Sequence, residues 1–461
     1  MTSGAADAAP KQENDMPGET PSDLSEADLT GVEPSGNRRR PKPPIMEIDG
    51  RKLKPATLMM GHGYDPTLSE GSLKPPIFLT STFAFESAAA GKRHFEGVTG
   101  IRPGGAEGLV YSRFNGPNQE ICEDRLSVWE EAEDALLFSS GMSAIATTLL
   151  ALVQPGDVIV HSAPLYAATE SLIGRILGRF GVQWLDFPAG ATPEEIGAVI
   201  DQAKGLGRIA MIYLESPANP TNVLVDLDAV VARRDSAFAG ASHVPPIAID
   251  NTFLGPLWHK PLAHGADLVI YSLTKYAGGH SDLVAGGVLG SNALINIIRL
   301  MRNTIGTILD PHSAWMLLRS LETLELRMSR AGENAEKVCA WLRDQPQVEK
   351  VVYLGFPETE RQADIYRRHC SGAGSTFSLY LKGGEAEAFA FLDALKIAKL
   401  AVSLGGTETL ASHPAAMTHL SVPAERKKAL AIGNNMVRIS IGCEDADDLI
   451  ADFAQALRQI A

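Results

Sequence analysis

The stretch LVIYSLTKYAGGHSD, residues 268–282, joins an apolar run to a polar, glycine-rich segment. A short and continuously apolar run such as Leu268–Tyr271 is typical of a strand that is buried on both faces of a parallel sheet. Lys275 follows this run, and Ser272 and Thr274 alternate with an apolar residue, so both hydroxyls can face one side of the chain. The stretch therefore predicts a parallel strand that ends in a group of polar side chains.

Further apolar runs of strand length lie upstream, and helical patterns separate them. The predicted strands are ALLFSS from Ala135, VIVHS from Val158, QWLDF from Gln183, IAMIYLE from Ile209 and IAID from Ile247. The helical patterns between them include MSAIATTLLALV after Gly141 and PEEIGAVIDQAK after Thr192. Repeated β–α units predict an α/β fold with a mainly parallel sheet and right-handed crossovers.

The pattern changes after about Pro311. The helical stretch HSAWMLLRSLETLELRM leads into a mixed region that contains TFSLYLKGG and MVRISIG, and this predicts a smaller α+β domain at residues 311–461. Residues 1–55 are poor in large apolar side chains, so we predict a disordered N-terminal extension. Residues 56–110 are predicted to form an N-terminal arm, and residues 111–310 the larger α/β domain.

Charge and composition narrow the classes of function. The 461-residue chain has 41 Lys and Arg against 55 Asp and Glu, and general binding of nucleic acid is therefore not expected, because phosphate neutralisation needs clustered cations. The four cysteines form no CxxC pair, so neither a disulfide framework nor a metal site is predicted. No apolar run reaches the ~18 residues of a membrane span, and the N-terminus lacks a secretory signal pattern. We predict a cytoplasmic protein.

Lys275 and Asp250 are the first candidates for chemistry. A lysine that is flanked by hydroxyls and followed by Gly278 and Gly279 suits a residue that holds pyridoxal phosphate as a Schiff base, with phosphate donors beside it. Asp250 ends the strand one β–α unit earlier, and this cofactor needs a carboxylate to keep its ring nitrogen protonated. Taken singly, the lysine is also compatible with a surface charge and the aspartate with a helix cap.

Other candidates also follow strands, where ligands bind in open α/β folds. SSGMSAI opens a helix after the strand ALLFSS, and the backbone N–H groups of Gly141 and Met142 at that helix start would form an anion site. Tyr166 follows VIVHS, where it can stack on a pyridine ring and act as an acid or base. Arg438 lies in the apolar strand MVRISIG, and a buried arginine needs an anion, either a substrate carboxylate or a structural salt bridge.

Together these stretches resemble the cysteine/methionine-metabolism (transsulfuration) family of pyridoxal-phosphate enzymes. That family contains cystathionine γ-synthase, cystathionine γ-lyase, methionine γ-lyase and the homoserine-ester sulfhydrylases. The resemblance runs from about Gly61 to the C-terminus, and its motifs keep the family order: PPIFLTSTF, YSRFNGPN, SSGMSAI, ESPANPTN, DNTFLGP, SLTKYAGGHSD, SLGGTETLASHPAAMTH and MVRISIGCED. It implies the aminotransferase-like fold, fold type I, with pyridoxal 5'-phosphate as the cofactor and an amino acid as the substrate.

The resemblance also implies how the cofactor is held. Lys275 would carry the cofactor and relay protons, Asp250 would pair with the pyridine nitrogen, and Tyr166 would stack on the ring. The phosphate-binding residues that it implies are Gly141, Met142, Ser272 and Thr274.

Other implied roles concern the substrate and the assembly. Asn219 would support the O3′ side of the cofactor ring, and Ser403 and Arg438 would hold the substrate α-carboxylate. Tyr111 and Arg113 in YSRF are expected to reach the phosphate of a neighbouring subunit. The active site would then need a dimer, and the family is usually a tetramer built from two such dimers.

Details of the motifs bear on the substrate. Ala168 stands where typical methionine γ-lyases have a cysteine, whereas Gly406 and Glu408 in SLGGTE are closer to the synthase and lyase branches than to the sulfhydrylases. Val110 stands where enzymes that handle cystathionine often have an acidic residue, and an apolar side chain there suits a methionine-like thioether. These features favour γ-elimination. The alternatives are γ-replacement, by a cystathionine γ-synthase or a homoserine-ester sulfhydrylase, and an inactive relative that binds partners through its N-terminal segment.

Overall fold

The computed structural model describes residues 46–98, 101 and 108–460, and each of the predicted apolar runs contains a strand. The strands of this part of the chain are β1 (Glu47–Ile48), β2 (Arg51–Lys52), β3 (Asp134–Phe138), β4 (Val158–Ala163), β5 (Gln183–Pro188), β6 (Ile209–Glu215), β7 (Ile247–Asp250), β8 (Leu268–Tyr271), β9 (Gly286–Gly290), β10 (Val348–Val352), β11 (Thr376–Leu381), β12 (Lys399–Leu400), β13 (Leu410–Ser412) and β14 (Met436–Ser440).

The α-helices include the predicted helical segments and several short turns of helix. They are α1 (Pro55–Leu58), α2 (Ala88–Val98), α3 (Pro117–Glu130), α4 (Gly141–Leu152), α5 (Ala167–Ser171), α6 (Pro193–Lys204), α7 (Leu227–Ala237), α8 (Gly255–Trp258), α9 (Asn292–Ile305), α10 (Pro311–Leu321), α11 (Leu324–Arg343), α12 (Glu360–His369), α13 (Glu385–Ala394), α14 (Ala424–Ala429) and α15 (Ala446–Leu457).

The larger sheet has seven strands in the order β3–β9–β8–β7–β6–β4–β5. The pairs from β8 through β7, β6 and β4 to β5 are parallel. β9 runs antiparallel between β3 and β8. The predicted α/β fold with a mainly parallel sheet is therefore confirmed.

Helices cover both faces of this sheet, because successive side chains of a strand point to opposite sides. Leu136 and Ile159 belong to an apolar layer that includes residues of α4 and α9. Their sequence neighbours Leu137 and Val160 belong to the opposite layer, with residues of α3 and α6. With both faces closed by apolar packing, polar side chains collect where the parallel strands end.

The smaller sheet has the order β10–β11–β14–β13–β12, and its pairs are antiparallel except for β12 with β13. Phe377 and Ile439 from the sheet pack in one core with residues of α11, α13 and α15. The helical stretch that we predicted after Pro311 consists of two helices, α10 and α11, which are separated at Glu322 and Thr323. This is the predicted α+β unit.

At the N-terminal end, β1 and β2 form an antiparallel hairpin. It lies inside the segment 1–55 that we predicted to be a disordered extension, so regular structure begins before residue 56. Residues 1–45 lie outside the described residues. Among the helices of the described ranges, none combines the length and the apolar character that crossing a membrane requires.

Candidate active site

Four of the predicted site residues meet between the two sheets. Lys275 Nζ donates a hydrogen bond to Ser403 Oγ at 2.9 Å. The Arg438 guanidinium donates to Asn219 Oδ1 and to the backbone oxygen of Ser403, each at 3.1 Å. The structure therefore brings together a lysine from the segment after β8, an arginine from β14, and polar groups from two loops.

The loop that carries Ser403 reaches Lys275 because it can pack closely against the chain beside the lysine. Gly405 has a φ of +72°, which favours glycine, and a Cβ there would lie 2.7 Å from the backbone nitrogen of Tyr276. A larger residue at position 405 would push this loop away from Tyr276. The SLGG motif thus holds Ser403 against the lysine.

Arg438 is a buried cation that forms no salt bridge with any residue of the described ranges. It is 4% exposed and lies on β14, between β11 and β13. Its hydrogen-bond acceptors are neutral oxygens, and among the residues that the structure describes no carboxylate lies within ion-pair distance. Burial lowers the pKa of Arg438 to about 10. The salt-bridge alternative for this arginine is therefore absent from the described ranges, and its charge is available to an anionic ligand.

The amine of Lys275 is perturbed in the direction that favours its neutral form. Burial, together with the nearby positive charge of Arg438, lowers the pKa of Lys275 from its ordinary value of 10.5 to about 8. A neutral amine is the form that reacts with a carbonyl group and that accepts a proton. Lys275 can therefore act as a nucleophile and as a base near physiological pH.

We expect an amine-acylating reagent to label Lys275 of cofactor-free protein with a midpoint near pH 8, because the lysine is protonated and unreactive below its pKa of about 8 and neutral above it. Peptide mass spectrometry across a pH series separates Lys275 from the other lysines. A midpoint close to 10.5 would contradict the buried position of the amine.

Two carboxyl groups end the neighbouring parallel strands β6 and β7. Glu215 closes β6 and Asp250 closes β7, and the two are register partners. Burial raises the pKa of Asp250, and burial and the charge of Asp250 raise the pKa of Glu215. The backbone N–H of Thr252 donates to Asp250 Oδ1 at 3.0 Å, which fixes the aspartate side chain. A cationic ring nitrogen would give Asp250 the partner that its charged form needs.

The predicted phosphate-binding residues Gly141 and Met142 lie where α4 begins. Ser140 caps the helix by accepting a hydrogen bond from the backbone of Ser143 at 3.0 Å, whereas the N–H groups of Gly141 and Met142 belong to the first turn and have no intrahelical acceptor. A Cβ at Gly141 would lie 2.8 Å from the Cβ of Ser272. Any side chain at position 141 would therefore clash with Ser272. Because residue 141 is glycine, the start of the helix can lie against the hydroxyl of Ser272.

The two predicted hydroxyl ligands differ in their surroundings. Ser272 is held by its backbone N–H, which donates to Thr252 Oγ1 at 2.9 Å. Thr274 Oγ1 accepts from the backbone N–H of Ala285 at 3.0 Å and lies 3.2 Å from the oxygen of the same residue. The Thr274 hydroxyl thus also joins the lysine segment to the start of β9.

Tyr166 is anchored by one of the buried carboxyl groups. Its backbone N–H donates to Glu215 Oε2 at 2.6 Å, and its side chain is 40% exposed. Because Glu215 is the register partner of Asp250, the segment that carries Tyr166 is fixed next to the predicted partner of the pyridine nitrogen. The exposed ring is free to meet a ligand on that side.

Tyr111 and Arg113 do not contact the Lys275 cluster within this subunit. Arg113 donates to the backbone oxygen of Asn303, and its guanidinium lies 4.7 Å from the centre of the Phe114 ring. Tyr111 is 40% exposed. This arrangement is compatible with the predicted crossing to a neighbouring subunit.

Two residues of the site, Glu215 and Thr252, were missed in the sequence. Glu215 fixes Tyr166, and Thr252 holds both Asp250 and Ser272. Glu215 had a readable signal, because it is an acidic residue at the end of an entirely apolar strand, as Asp250 is. Thr252 had no such signal, since its role depends on the distance between two loops.

The residues present fit pyridoxal phosphate. The site offers a buried amine of lowered pKa at Lys275, a buried carboxyl at Asp250 and a helix start at Gly141 that faces the Ser272 hydroxyl. These are an imine-forming group, a partner for a pyridinium nitrogen and an anion site. All three lie at the carboxyl end of the parallel strands, as expected for this class of fold.

Comparisons with known proteins agree with this fit. The profile of the family described as Cys/Met metabolism PLP-dependent enzyme matches residues 56–458. The chain is 38% identical to an L-methionine gamma-lyase of Pseudomonas deceptionensis, covering 88% of this chain and 98% of the relative. It is 36% identical to a cystathionine gamma-synthase of Mycobacterium bovis, covering 87% and 96%.

A solved structure supports the fold in the same way. The cystathionine gamma synthase of Xanthomonas oryzae pv. oryzae, solved in complex with cystathionine, superposes with a TM-score of 0.79 at 31% identity, covering 88% of this chain and 98% of that chain. Fold, donor set and sequence similarity agree, and the chain belongs to the family of pyridoxal-phosphate-dependent enzymes of cysteine and methionine metabolism.

Proposed function

We propose that this protein is a carbon–sulfur lyase that acts by γ-elimination on a sulfur amino acid, with a methionine-like thioether as the substrate. The observation that carries the proposal is the buried Arg438, which has no acidic partner among the described residues and lies beside Lys275. A buried cation next to an amine of lowered pKa suits a substrate that has one carboxylate and one reactive α-carbon.

Pyridoxal phosphate, when bound, supplies an electron sink for the carbon that loses a proton. Lys275 would hold the cofactor, Asp250 its ring nitrogen and Asn219 its O3′ side, and Tyr166 would stack on the ring. The phosphate would be bound by Gly141, Met142, Ser272 and Thr274. Glu215 acts indirectly, because it fixes the backbone that carries Tyr166.

The substrate is oriented by its carboxylate. Arg438, held by Asn219 at 3.1 Å, would bind the α-carboxylate together with Ser403. Lys275 would then move protons at Cα and Cβ, since its lowered pKa of about 8 allows it to accept and return a proton near neutral pH. The hydroxyl of Tyr166 would assist departure of the sulfur from Cγ. With methionine and one molecule of water, the products are a thiol, a 2-oxo acid and ammonia.

The apolar side chain of Val110 favours a thioether without a charged distal end. Replacing it by aspartate would place a carboxylate where a distal ammonium group is expected. We expect Val110→Asp to raise the ratio of kcat/KM for cystathionine to that for methionine by about tenfold, equivalent to ~1.4 kcal/mol. Val110→Asn is the matched control without charge, and an equal ratio in the two variants would contradict this role of Val110.

γ-Replacement is the second candidate, either as a cystathionine γ-synthase or as a homoserine-ester sulfhydrylase. It is favoured by the similarity to the cystathionine gamma-synthase of Mycobacterium bovis. Elimination and replacement need the same groups for proton movement and differ in whether an added thiol is incorporated.

Product analysis separates the two reactions. The purified protein is incubated with methionine, cystathionine and O-acyl-homoserines in turn, with and without cysteine, and the products are identified by mass spectrometry. We expect methionine alone to yield a thiol, a 2-oxo acid and ammonia. Unchanged methionine, together with cystathionine formed from an O-acyl-homoserine and cysteine, would overturn elimination in favour of replacement.

The assembly is part of the proposal. We propose a cytoplasmic homotetramer made of two dimers, in which Tyr111 and Arg113 bind the cofactor phosphate of the neighbouring subunit. Within each subunit we propose an arm at residues 56–110, a cofactor-binding domain at 111–310 and a C-terminal domain at 311–461. The exposure of Tyr111 and the absence of a contact between Arg113 and the Lys275 cluster support this arrangement.

A mixing experiment tests the shared site. Arg113→Ala removes a group expected from the neighbouring subunit, and Lys275→Ala disables the subunit's own site, so each variant alone should be inactive. In a two-fold symmetric dimer, random pairing makes about half of the dimers hybrid, each with one intact site, so roughly a quarter of the sites should regain activity. Native mass spectrometry verifies the exchange, and verified hybrids without activity would show that Arg113 serves its own subunit.

A further inference from the structure

We propose that the junction between α7, the turn that precedes β8 and the end of α12 is a binding site for a divalent transition-metal ion of the zinc class. The ligands are Asp228, His264 and His369, and one ligand atom from each lies within 4.8 Å of the other two. No such site is predicted from the sequence, because the three residues are far apart in the chain and follow no motif. The site is separate from the Lys275 cluster.

The ligand atoms already approach the geometry that a metal requires. Tetrahedral ligands at about 2.0 Å from zinc are about 3.3 Å from one another. His369 Nε2 lies 3.2 Å from one carboxylate oxygen of Asp228, Oδ2, and His264 Nδ1 lies 3.6 Å from the other, Oδ1, so the side chains need only small movements to share one ion. The two imidazole rings lie side by side, with their centres 4.5 Å apart. Two imidazoles and a carboxylate are a ligand set that zinc-class ions accept, with a fourth position left for water.

Arg368 shows that two of these ligands, Asp228 and His369, converge on a position for a positive charge. Its Nη1 donates to Asp228 Oδ2 and lies 2.9 Å from His369 Nε2. An arginine has no acceptor, so His369 Nε2 is the unprotonated nitrogen that offers its lone pair. This is also the form in which a histidine binds a metal. The Arg368 guanidinium thus occupies the position between Asp228 and His369 at which we propose the metal ion.

The arginine can leave this place without losing its other partners. Arg368 Nε donates to Asp364 at 3.0 Å, and Nη2 lies 3.2 Å from Asp226. A metal ion would therefore compete with the two contacts of Nη1, to Asp228 and His369, while the guanidinium keeps its contacts with Asp364 and Asp226. His369 ends α12, Asp228 lies on α7 and His264 in the turn before β8. A bound ion would consequently link three segments that are distant in the chain.

If Arg368 competes with the metal ion, its removal should strengthen metal binding. Adsorption of metal to surface histidines would show no such effect. We expect Zn²⁺ to bind the metal-stripped holoenzyme with one ion per chain in isothermal titration calorimetry. Arg368→Gln should tighten binding by at least tenfold, because it removes the competing charge. Asp228→Asn and His264→Ala should each abolish binding, and both side chains are exposed enough for the variants to fold. His312→Ala, which removes an exposed histidine elsewhere, is the control and should bind like the wild type.

A second readout does not depend on heat signals. Co²⁺ in a site with imidazole ligands has visible absorption bands, and we expect these bands with wild-type protein and with His312→Ala, but not with His264→Ala. Bound Zn²⁺ should also raise the unfolding temperature of the wild type and leave that of Asp228→Asn unchanged. Absence of saturable binding in Arg368→Gln, or binding that persists unchanged in Asp228→Asn and His264→Ala, would overturn the site.

Discussion

Lys275→Ala is expected to lose turnover by about 10⁴-fold or more and to be colourless after purification. Lys275 donates a hydrogen bond to Ser403 and lies beside the buried Arg438. No other described lysine forms a hydrogen bond with either residue. Proton transfer by a positioned side chain contributes about 10²–10⁴-fold on its own, and loss of the cofactor bond adds to this. Visible absorbance and steady-state kinetics measure the two effects separately.

The control for this variant is Lys260→Ala. Lys260 is a lysine of the same domain that pairs with Glu131 at the surface, at 3.1 Å. Its removal should leave absorbance and rate unchanged, since exposed ion pairs contribute little. Appreciable turnover by Lys275→Ala, beyond the level of a buffer blank, would rule out the assignment of the cofactor to this lysine.

Asp250→Asn should lower kcat by roughly 10²–10³-fold, the loss that follows removal of one preorganised charge-stabilising group. The substitution preserves the shape of the side chain and the hydrogen bond from Thr252, but it removes the negative charge that would keep a ring nitrogen protonated. The variant should fold and remain coloured, because Lys275 is intact. Its absorbance and its kcat therefore separate cofactor binding from catalysis.

Asp201→Asn is the matched control, because Asp201 is an exposed carboxylate on α6. It should behave like the wild type in rate and in absorbance. If Asp250→Asn turned over substrate at a near-normal rate, Asp250 would have only the structural role of capping the chain after β7.

The parallel part of the sheet could be predicted from the sequence because its strands are short apolar runs that stand apart from helical patterns. β9 was not predicted, since its sequence GGVLG contains mainly glycine. These glycines are required by packing: a Cβ at Gly286 would lie 2.1 Å from the backbone oxygen of Ser140, and one at Gly290 would lie 2.6 Å from that of Asp267. Such requirements depend on neighbours that are distant in the chain.

For the site, too, single residues could be predicted from the sequence, whereas the contacts between them could not. Lys275 and Asp250 could be predicted because a charge after an apolar strand is conspicuous in the sequence. The bond between Lys275 and Ser403 joins residues from the two sheets, and only the packing of those sheets shows it. The environment of Arg438 is of the same kind, because the sequence left open whether a carboxylate would pair with it.

Borohydride reduction of the purified holoenzyme, followed by peptide mass spectrometry, identifies the lysine that carries the cofactor. The reduction fixes a bound cofactor to its lysine as a stable amine, and the mass of the labelled peptide identifies the residue. We expect a phosphopyridoxyl group on Lys275 and none on any other lysine. A group on a different lysine, or unmodified Lys275 in an enzyme that is coloured and active, would contradict it.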